Sequence, residues 1–354
     1  MNYFCSTIID RTVETAHKIE VSSHSSVYIG NAERLLAELL PDRRVIVITD
    51  ANIDRRYHPL FGGRDYFLIG TGETVKTLNT VNELYRKLIE AEADRSCFIL
   101  GVGGGIVTDI AGYAASTYMR GLEFGFVSTT LLGQVDASVG GKNGVNIDGY
   151  KNMVGTFSQP RFVICDTEML KTLPEREFRA GMAEIIKAAA IADAELFEML
   201  EQNTLEGLRR DERLLADIVK AAVKIKAEIV QRDEREKGER RKLNLGHTLG
   251  HAIEKCTPAL NHGEAVAAGI AGTARAAARL GALSEQDAER IISLLQRYGF
   301  DLSIPVSQKR LVNAIAKDKK MSGEFLHLVL PTGIGSCEVR RLPKNEAADY
   351  LIAK

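Results

Sequence analysis

The sequence predicts an α/β N-terminal domain with a mainly parallel sheet, followed by an all-α C-terminal domain relieved by one late strand. Three observations point there. Short, uniformly apolar runs alternate with helical patterns through the first half of the chain, which reads as βαβ units whose strands are covered on both faces. From Pro174 to about Tyr298 the pattern is almost only helical. The length, 354 residues, suits two domains.

The expected strands are Val45–Thr49, Tyr66–Ile69, Cys97–Val102, Phe124–Val127 and Phe162–Cys165. Helices are expected over Glu73–Ala91 and Val107–Tyr118 between them. In Glu175–Leu200, Phe178, Met182, Ile185, Ile186 and Ala189 recur at helical spacing and give one apolar face. Pro174 suits its first turn. Leu326–Leu330 reads as the late strand and Asn345–Ile352 as a final helix. The change of character past Asp166 divides the chain into 1–168 and 169–354. No long linker separates the halves, so they are expected to pack closely around a cleft.

Lys+Arg number 46 and Asp+Glu 47, a net charge of −1. That balance argues against a nucleic-acid partner held by a basic face. Five scattered cysteines, with no CxxC, read as free thiols in a reducing compartment. No window approaches the 18 uncharged apolar residues of a membrane span. The start, MNYFCSTIIDR, has no basic region before its apolar run and reads as no secretory signal. The expectation is a cytoplasmic protein without a membrane partner.

Gly101, Gly103, Gly104 and Gly105 follow a strand and precede a helix. Glycine admits a phosphate close to the backbone, and a helix N-terminus favours an anion. The strict GxGxxG pattern is broken at Ile106, so a plain strand–helix turn competes with nucleotide binding. Asp50, ending the VIVIT strand, is placed for a ribose hydroxyl or for a helix cap.

Three of the seven histidines, His247, His251 and His262, lie close together. His247 and His251 are four apart and share a helix face. Such a pair can bind zinc, with His262 and Glu264 completing the set; spacing leaves open which residues ligate. The Gly-rich segments QVDASVGGKNG and GYKNMVG carry Asp136, Lys142, Lys151 and Asn152 and read as loops able to hold phosphate. Arg120, Lys187, Lys226 and Arg240 are further polar candidates. The charge run RDEREKGERRK (232–242) reads by default as a solvated helix end or turn.

Together these segments resemble the 3-dehydroquinate synthase family, the sugar phosphate cyclases. The resemblance runs from TDANI (49–53) to DKK (318–320). It is densest in GGGIVTDIAGYAASTYMRG (103–121), STTLLGQVDASVGGKNGVN (128–146), GYKNMVG (149–155), REFRAGMAEIIK (176–187) and LNLGHTLGHAIE with HGEAV (243–266). It implies a Rossmann-like NAD domain, an all-α metal-binding domain, one NAD⁺, one divalent metal (zinc foremost, cobalt as second choice) and a homodimer. The implied reaction turns 3-deoxy-D-arabino-heptulosonate 7-phosphate into 3-dehydroquinate and phosphate, a step of the shikimate pathway. Two other activities compete: a cyclase for a neutral heptulose phosphate, and a simple NAD- and metal-dependent alcohol dehydrogenase.

The resemblance makes Glu184, His247 and His262 the metal ligands and gives His251 a substrate or proton-transfer role, against the spacing argument. It assigns NAD to Asp50, Asn52, Glu73, Lys76, Gly104, Gly105, Ile106, Asp109, Thr129, Thr130, Leu132, Lys151, Thr172, Leu173 and Glu177. Substrate falls to Arg120, Asp136, Lys142, Asn152, Lys187, Lys226, Arg240, Asn244, His251 and Lys319, with Arg120 expected from the partner subunit. Lys142, Asn152, His251 and Arg120 match positions near the phosphate; Lys226, Arg240 and Asn244 match those near the carboxylate. Three positions depart from the family pattern: Thr108 for a Gly, Asn143 for a Thr and Glu239 for a Leu. Glu239 is expected to face away from the site.

Overall fold

A computed structural model describes residues 16–316 and 325–352. The first half contains β1 His17–Ser22, β2 Ser25–Ile29, α1 Ala32–Leu39, β3 Val45–Asp50, α2 Ala51–Tyr57, β4 Tyr66–Ile69, α3 Leu78–Glu90, β5 Phe98–Gly103, α4 Gly105–Thr117, β6 Glu123–Ser128, β7 Lys142–Ile147, β8 Tyr150–Phe157 and β9 Phe162–Cys165. The second contains α5 Glu175–Ala192, α6 Ala194–Glu201, α7 Leu205–Arg210, α8 Glu212–Arg232, α9 His247–Cys256, α10 His262–Arg279, α11 Glu285–Arg297, α12 Gln308–Ala316, β10 Phe325–Gly333, β11 Ser336–Pro343 and α13 Lys344–Ile352.

Seven strands form one sheet in the order β1-β2-β9-β6-β5-β3-β4. Only the β1–β2 pair is antiparallel. Val45, Ile46, Val47 and Ile48 of β3 are all buried, as a strand covered on both faces requires. One face packs against α1, where Leu35 and Leu36 meet Phe98 and Phe162. The other face carries Val107, Ile110 and Ala114 of α4 and is continuous with the apolar interior of the helical half. Burying each large aliphatic or aromatic side chain contributes about 1.5–3 kcal/mol, so this shared core locks the halves together. From β3 the chain moves outward to β4, then returns to place β5 on the other side of β3. That reversal makes a crevice at the carboxyl ends of the strands, the usual ligand position in such sheets.

Several expectations need correction. The helix expected over 73–91 begins only at Leu78, because Thr77 caps it by accepting from Thr80 N–H; Glu73–Val75 is a separate tight turn. The long helix expected over 175–200 breaks at Asp193, whose carboxylate accepts from Leu196 N–H at 2.9 Å and starts α6. The segments read as Gly-rich loops form a short π-helical turn, Gly133–Ala137, and the β7–β8 hairpin. Its turn is Asp148–Gly149, both at positive φ, the Asp-Gly signal of a two-residue hairpin. The helical half is not wholly helical: β10, which includes the expected late strand, pairs antiparallel with β11. Charged residues Glu338, Arg340 and Arg341 hide β11 from an apolar-run reading. Among the described residues, no helix is long and apolar enough to cross a membrane.

Candidate active site

The residues matched to NAD line the carboxyl edge of the sheet. Asp50 ends β3, Glu73 follows β4, Gly104 follows β5, Thr129 and Thr130 follow β6, and Thr172 and Leu173 follow β9. Gly104 is the N-cap of α4 and supplies no side-chain cap, so the first N–H groups of that helix face the crevice unfilled. The Thr129 hydroxyl is buried without a hydrogen-bond partner. An orphaned donor beside an uncapped helix end fits a phosphate-bearing cofactor. Asp50 caps α2 by accepting from Asn52 and Ile53 N–H, the structural role that competed with ribose binding. Asn52, Thr172 and Glu177 are exposed, while Ile106 and Leu132 are half-buried. Lys76 donates to Asp109 and, at 2.6 Å, to Asn152 Oδ1. Glu73 accepts from Asn146 at 2.7 Å. Gly105 is half-buried at the start of α4.

A second cluster forms where α5, α9 and α10 meet. One ligand atom from each of Glu184, His247 and His262 lies within 4.8 Å of the others. Glycine makes this approach feasible. Gly246, at φ +77, caps α9; a Cβ there would lie 2.7 Å from Ile270 N in α10. A Cβ on Gly263 would lie 2.3 Å from Ala180 Cα in α5. Bulkier residues at either position would push the three helices apart. His247 Nδ1 faces the Leu245 carbonyl at 3.1 Å, which turns Nε2 toward Glu184 Oε1, 3.8 Å away. His262 Nε2 is 3.3 Å from the same oxygen.

Burial, with the nearby Lys187 ammonium, pushes His247 down to about 3, so its imidazole is neutral, as a metal ligand must be. Glu184 is buried; Lys187 and His262 outweigh that burial and hold its carboxyl well below the usual range. Glu184 Oε1 has no hydrogen-bond partner. An orphaned carboxylate oxygen facing two imidazole nitrogens fits a divalent metal with one carboxylate and two histidine ligands.

His251 lies outside that trio, its ring edge-on to His247 with centroids 5.2 Å apart. Glu264, the other residue raised by spacing, instead completes a capping box with Asn261 and pairs with Arg176.

The third cluster is cationic. Lys187 is buried and donates to Glu184. Lys226, buried on α8, donates to the Asp136 carboxylate and carbonyl, both at 2.5 Å. Burial and Arg240 lower it to about 8 against the pull of Asp136. The run 232–242, read as a solvated turn, folds inward. Asp233 accepts from the backbone N–H of Lys237, Gly238 and Arg240, and that loop delivers Arg240 into a buried position over the Phe157 ring at 6.0 Å. Glu236, at φ +57, accepts from Lys142 and from Asn244, the latter at 2.5 Å.

Glu239 is paired with Arg232 at 3.2 Å and Lys242 at 3.5 Å. Asn143 is buried and holds the Gly141 and Ser158 carbonyls; Thr108 donates to the Gly105 carbonyl. Lys319 lies outside the described residues.

Arg120 is not brought to the other residues. It follows α4, at positive φ and exposed, just before β6 begins. The six residues of β6 therefore separate it from Thr129 by about 20 Å. Sequence reasoning missed two acids, Glu236 and Glu254. Glu236 sits in a charge run that composition marks as solvated. Glu254 closes the HAIE segment, seven residues past His247 and so two turns along the same face of α9.

Residues 66–180 match the family described as 3-dehydroquinate synthase N-terminal, and residues 181–321 the family described as 3-dehydroquinate synthase C-terminal. A 3-dehydroquinate synthase of Halorhodospira halophila (strain DSM 244 / SL1) is 43% identical over 327 residues, 88% of this chain and 91% of that one. Two solved structures share the fold. A 2-epi-5-epi-valiolone synthase from Streptomyces hygroscopicus subsp. jinggangensis 5008, with NAD⁺ and Zn²⁺ bound, is 30% identical with a TM-score of 0.84, covering 96% of this chain and 99% of that one. A 2-deoxy-scyllo-inosose synthase complexed with carbaglucose-6-phosphate, NAD⁺ and Co²⁺ is 26% identical with a TM-score of 0.85, covering 95% and 99%.

Proposed function

Since the chain belongs to the 3-dehydroquinate synthase family, we propose that the three clusters at the carboxyl edge of its sheet form one cyclase active site. The enzyme is a phosphate-eliminating lyase that converts 3-deoxy-D-arabino-heptulosonate 7-phosphate to 3-dehydroquinate. The observation that carries this reading is the trio Glu184, His247 and His262, with its orphaned carboxylate oxygen, beside buried Lys187, Lys226 and Arg240.

When bound, NAD⁺ would supply a hydride acceptor and donor, and the metal would lower the pKa of a hydroxyl beside it. The chain's own groups bind, orient and move protons. Asp50, through the carboxylate oxygen not used to cap α2, together with Gly104, Gly105, Thr129 and the rest of the sheet edge, holds the nucleotide. Glu184, His247 and His262 hold the metal; one carboxylate and two imidazoles suit zinc. Lys226, Arg240 and Asn244 hold the substrate carboxylate. Lys142, Asn152 and His251 hold the phosphate end, and His251 is placed to move the proton there. Lys187 neutralises Glu184, and Asp136 fixes Lys226.

A homodimer completes the site. Arg120 is exposed at the edge of the sheet opposite its own crevice, which supports its reaching into a partner's crevice. Exposed Met119, Met153 and Phe157 give that partner an apolar surface. The free cysteines among the described residues support a reducing, cytoplasmic setting.

The test is phosphate release from the heptulosonate phosphate with NAD⁺ supplied only in catalytic amount. Many turnovers with no lasting NADH absorbance are expected, because the hydride goes back to the substrate. NADH accumulating in step with product would instead make the protein a dehydrogenase.

Lys226 supplies a pH signature. Its ammonium faces Asp136, Arg240 and Lys187, and only its charged form attracts a carboxylate. As pH rises through about 8 the proton leaves, so kcat/KM is expected to fall on the alkaline side, the profile of the free enzyme. In Lys226→Arg the fall should move upward by more than one pH unit, since a guanidinium keeps its proton. An unchanged alkaline limb in that variant would assign the titration to another group.

A further inference from the structure

His262 stands between two carboxylates. Its Nε2 faces Glu184 at 3.3 Å, and its Nδ1 faces Glu254 Oε2 at 3.5 Å. The Glu254 side chain is only 4% exposed, and a carboxylate withdrawn from water is costly unless it is paired. Its other oxygen accepts from Lys151 Nζ at 2.6 Å. Lys151 comes from the β7–β8 hairpin, in the other half of the molecule.

Neighbouring residues fix that hairpin to the nucleotide edge. Asn152 N–H donates to Asn146 Oδ1 at 2.9 Å, and Asn146 N–H donates to the Lys76 carbonyl at 2.8 Å. Hydrogen bonds thus run from the sheet edge through Lys151 to Glu254, whose second oxygen, without a hydrogen-bond partner, lies 3.5 Å from His262 Nδ1. The other histidine is supported differently: its Nδ1 faces the Leu245 carbonyl. A carboxylate behind a ligating imidazole fixes the ring and raises its basicity, which a carbonyl does less strongly.

We propose that Glu254, held by Lys151, is a positioning residue that orients His262 and strengthens metal binding, and that Lys151 acts on the metal only through Glu254. This rests on Glu184, His247 and His262 being the metal site.

The test is Zn²⁺ affinity of the full-length protein, stripped of metal and titrated against a chromogenic chelator. Glu254→Gln keeps the shape and removes the charge; zinc binding should weaken roughly 10–100-fold. Lys151→Met alters a half-exposed side chain, 47% accessible, and should weaken zinc several-fold. In the Glu254→Gln background the same lysine change should have no further effect, because coupled residues are not additive. Zinc affinity of Glu254→Gln equal to that of the unmodified protein overturns the proposal. So does a Lys151→Met loss that persists in full in the Glu254→Gln background. Should Glu254→Gln fail to fold, Lys151→Met decides alone, and unchanged zinc affinity there is the overturning result. Failure of the underlying metal assignment looks different: the unmodified protein takes up no zinc, or His262→Ala binds it as tightly as before.

Discussion

Removing His262 is expected to strip the metal and the turnover together. His262→Ala deletes one of the three proposed ligands, and bound zinc should drop well below one per chain. The polarisation lost with the metal is worth several kcal/mol, and each 1.36 kcal/mol is tenfold in rate. Phosphate release should therefore fall by at least about a thousandfold. Glu184→Ala should do the same and also cost stability. It leaves the buried Lys187 ammonium without its carboxylate, and breaking a buried pair costs about 3–5 kcal/mol. The melting temperature should thus fall further in Glu184→Ala than in His262→Ala. His251→Ala is the contrast. It should retain zinc and lose roughly 10²–10⁴ in rate, the range of one acid–base group. Metal analysis beside a phosphate assay separates the three variants. Zinc lost from His251→Ala but kept by His262→Ala would reverse the assignment.

The second large effect is substrate choice. The heptulosonate carries a carboxylate besides its phosphate; sedoheptulose 7-phosphate carries only the phosphate. Two anionic groups held apart need two cationic clusters, and Lys226 with Arg240 is the one a neutral ketose would leave unused. Arg240 is buried beside Phe157 and positioned by the Asp233 loop. A charge-assisted contact is worth about 1.5–3 kcal/mol, so Arg240→Ala should cost at least roughly tenfold in kcat/KM for the heptulosonate. The ratio between the two substrates is the decisive readout, because a folding defect lowers both alike. That ratio should strongly favour the heptulosonate in the unmodified protein and narrow in the variant. Equal or better turnover of the neutral ketose by the unmodified protein would overturn the carboxylate assignment.

The parallel sheet was legible because strands buried on both faces leave unbroken apolar runs such as VIVIT and FVIC. The β7–β8 hairpin was not, since lysines, asparagines and glycines interrupt its apolar residues and most of β8 is exposed, and only Asp148–Gly149 betrays it. Strand β11 was hidden for a similar reason, its charges riding on a ribbon covered on one side. At the metal, spacing alone favoured His247 with His251 because both share a helix face. The geometry instead unites Glu184, His247 and His262 from three helices, a tertiary juxtaposition that no local period encodes. Glu236 escaped notice because an acid in a charge run looks solvated until the fold draws it inward, and Glu254 because nothing local shows that its side of α9 meets His262.

The direction of α4 has a consequence for mixtures of chains. Because that helix carries Arg120 away from its own crevice, each crevice of the proposed homodimer would draw on two polypeptides. Two inactive proteins can then repair one another. A subunit lacking Arg120 still offers a sound metal site, and one lacking His262 still lends a sound arginine. Refolded together at equal amounts, about half the dimers are mixed, each with one intact crevice. About a quarter of the crevices would regain full composition, from parents that have almost none.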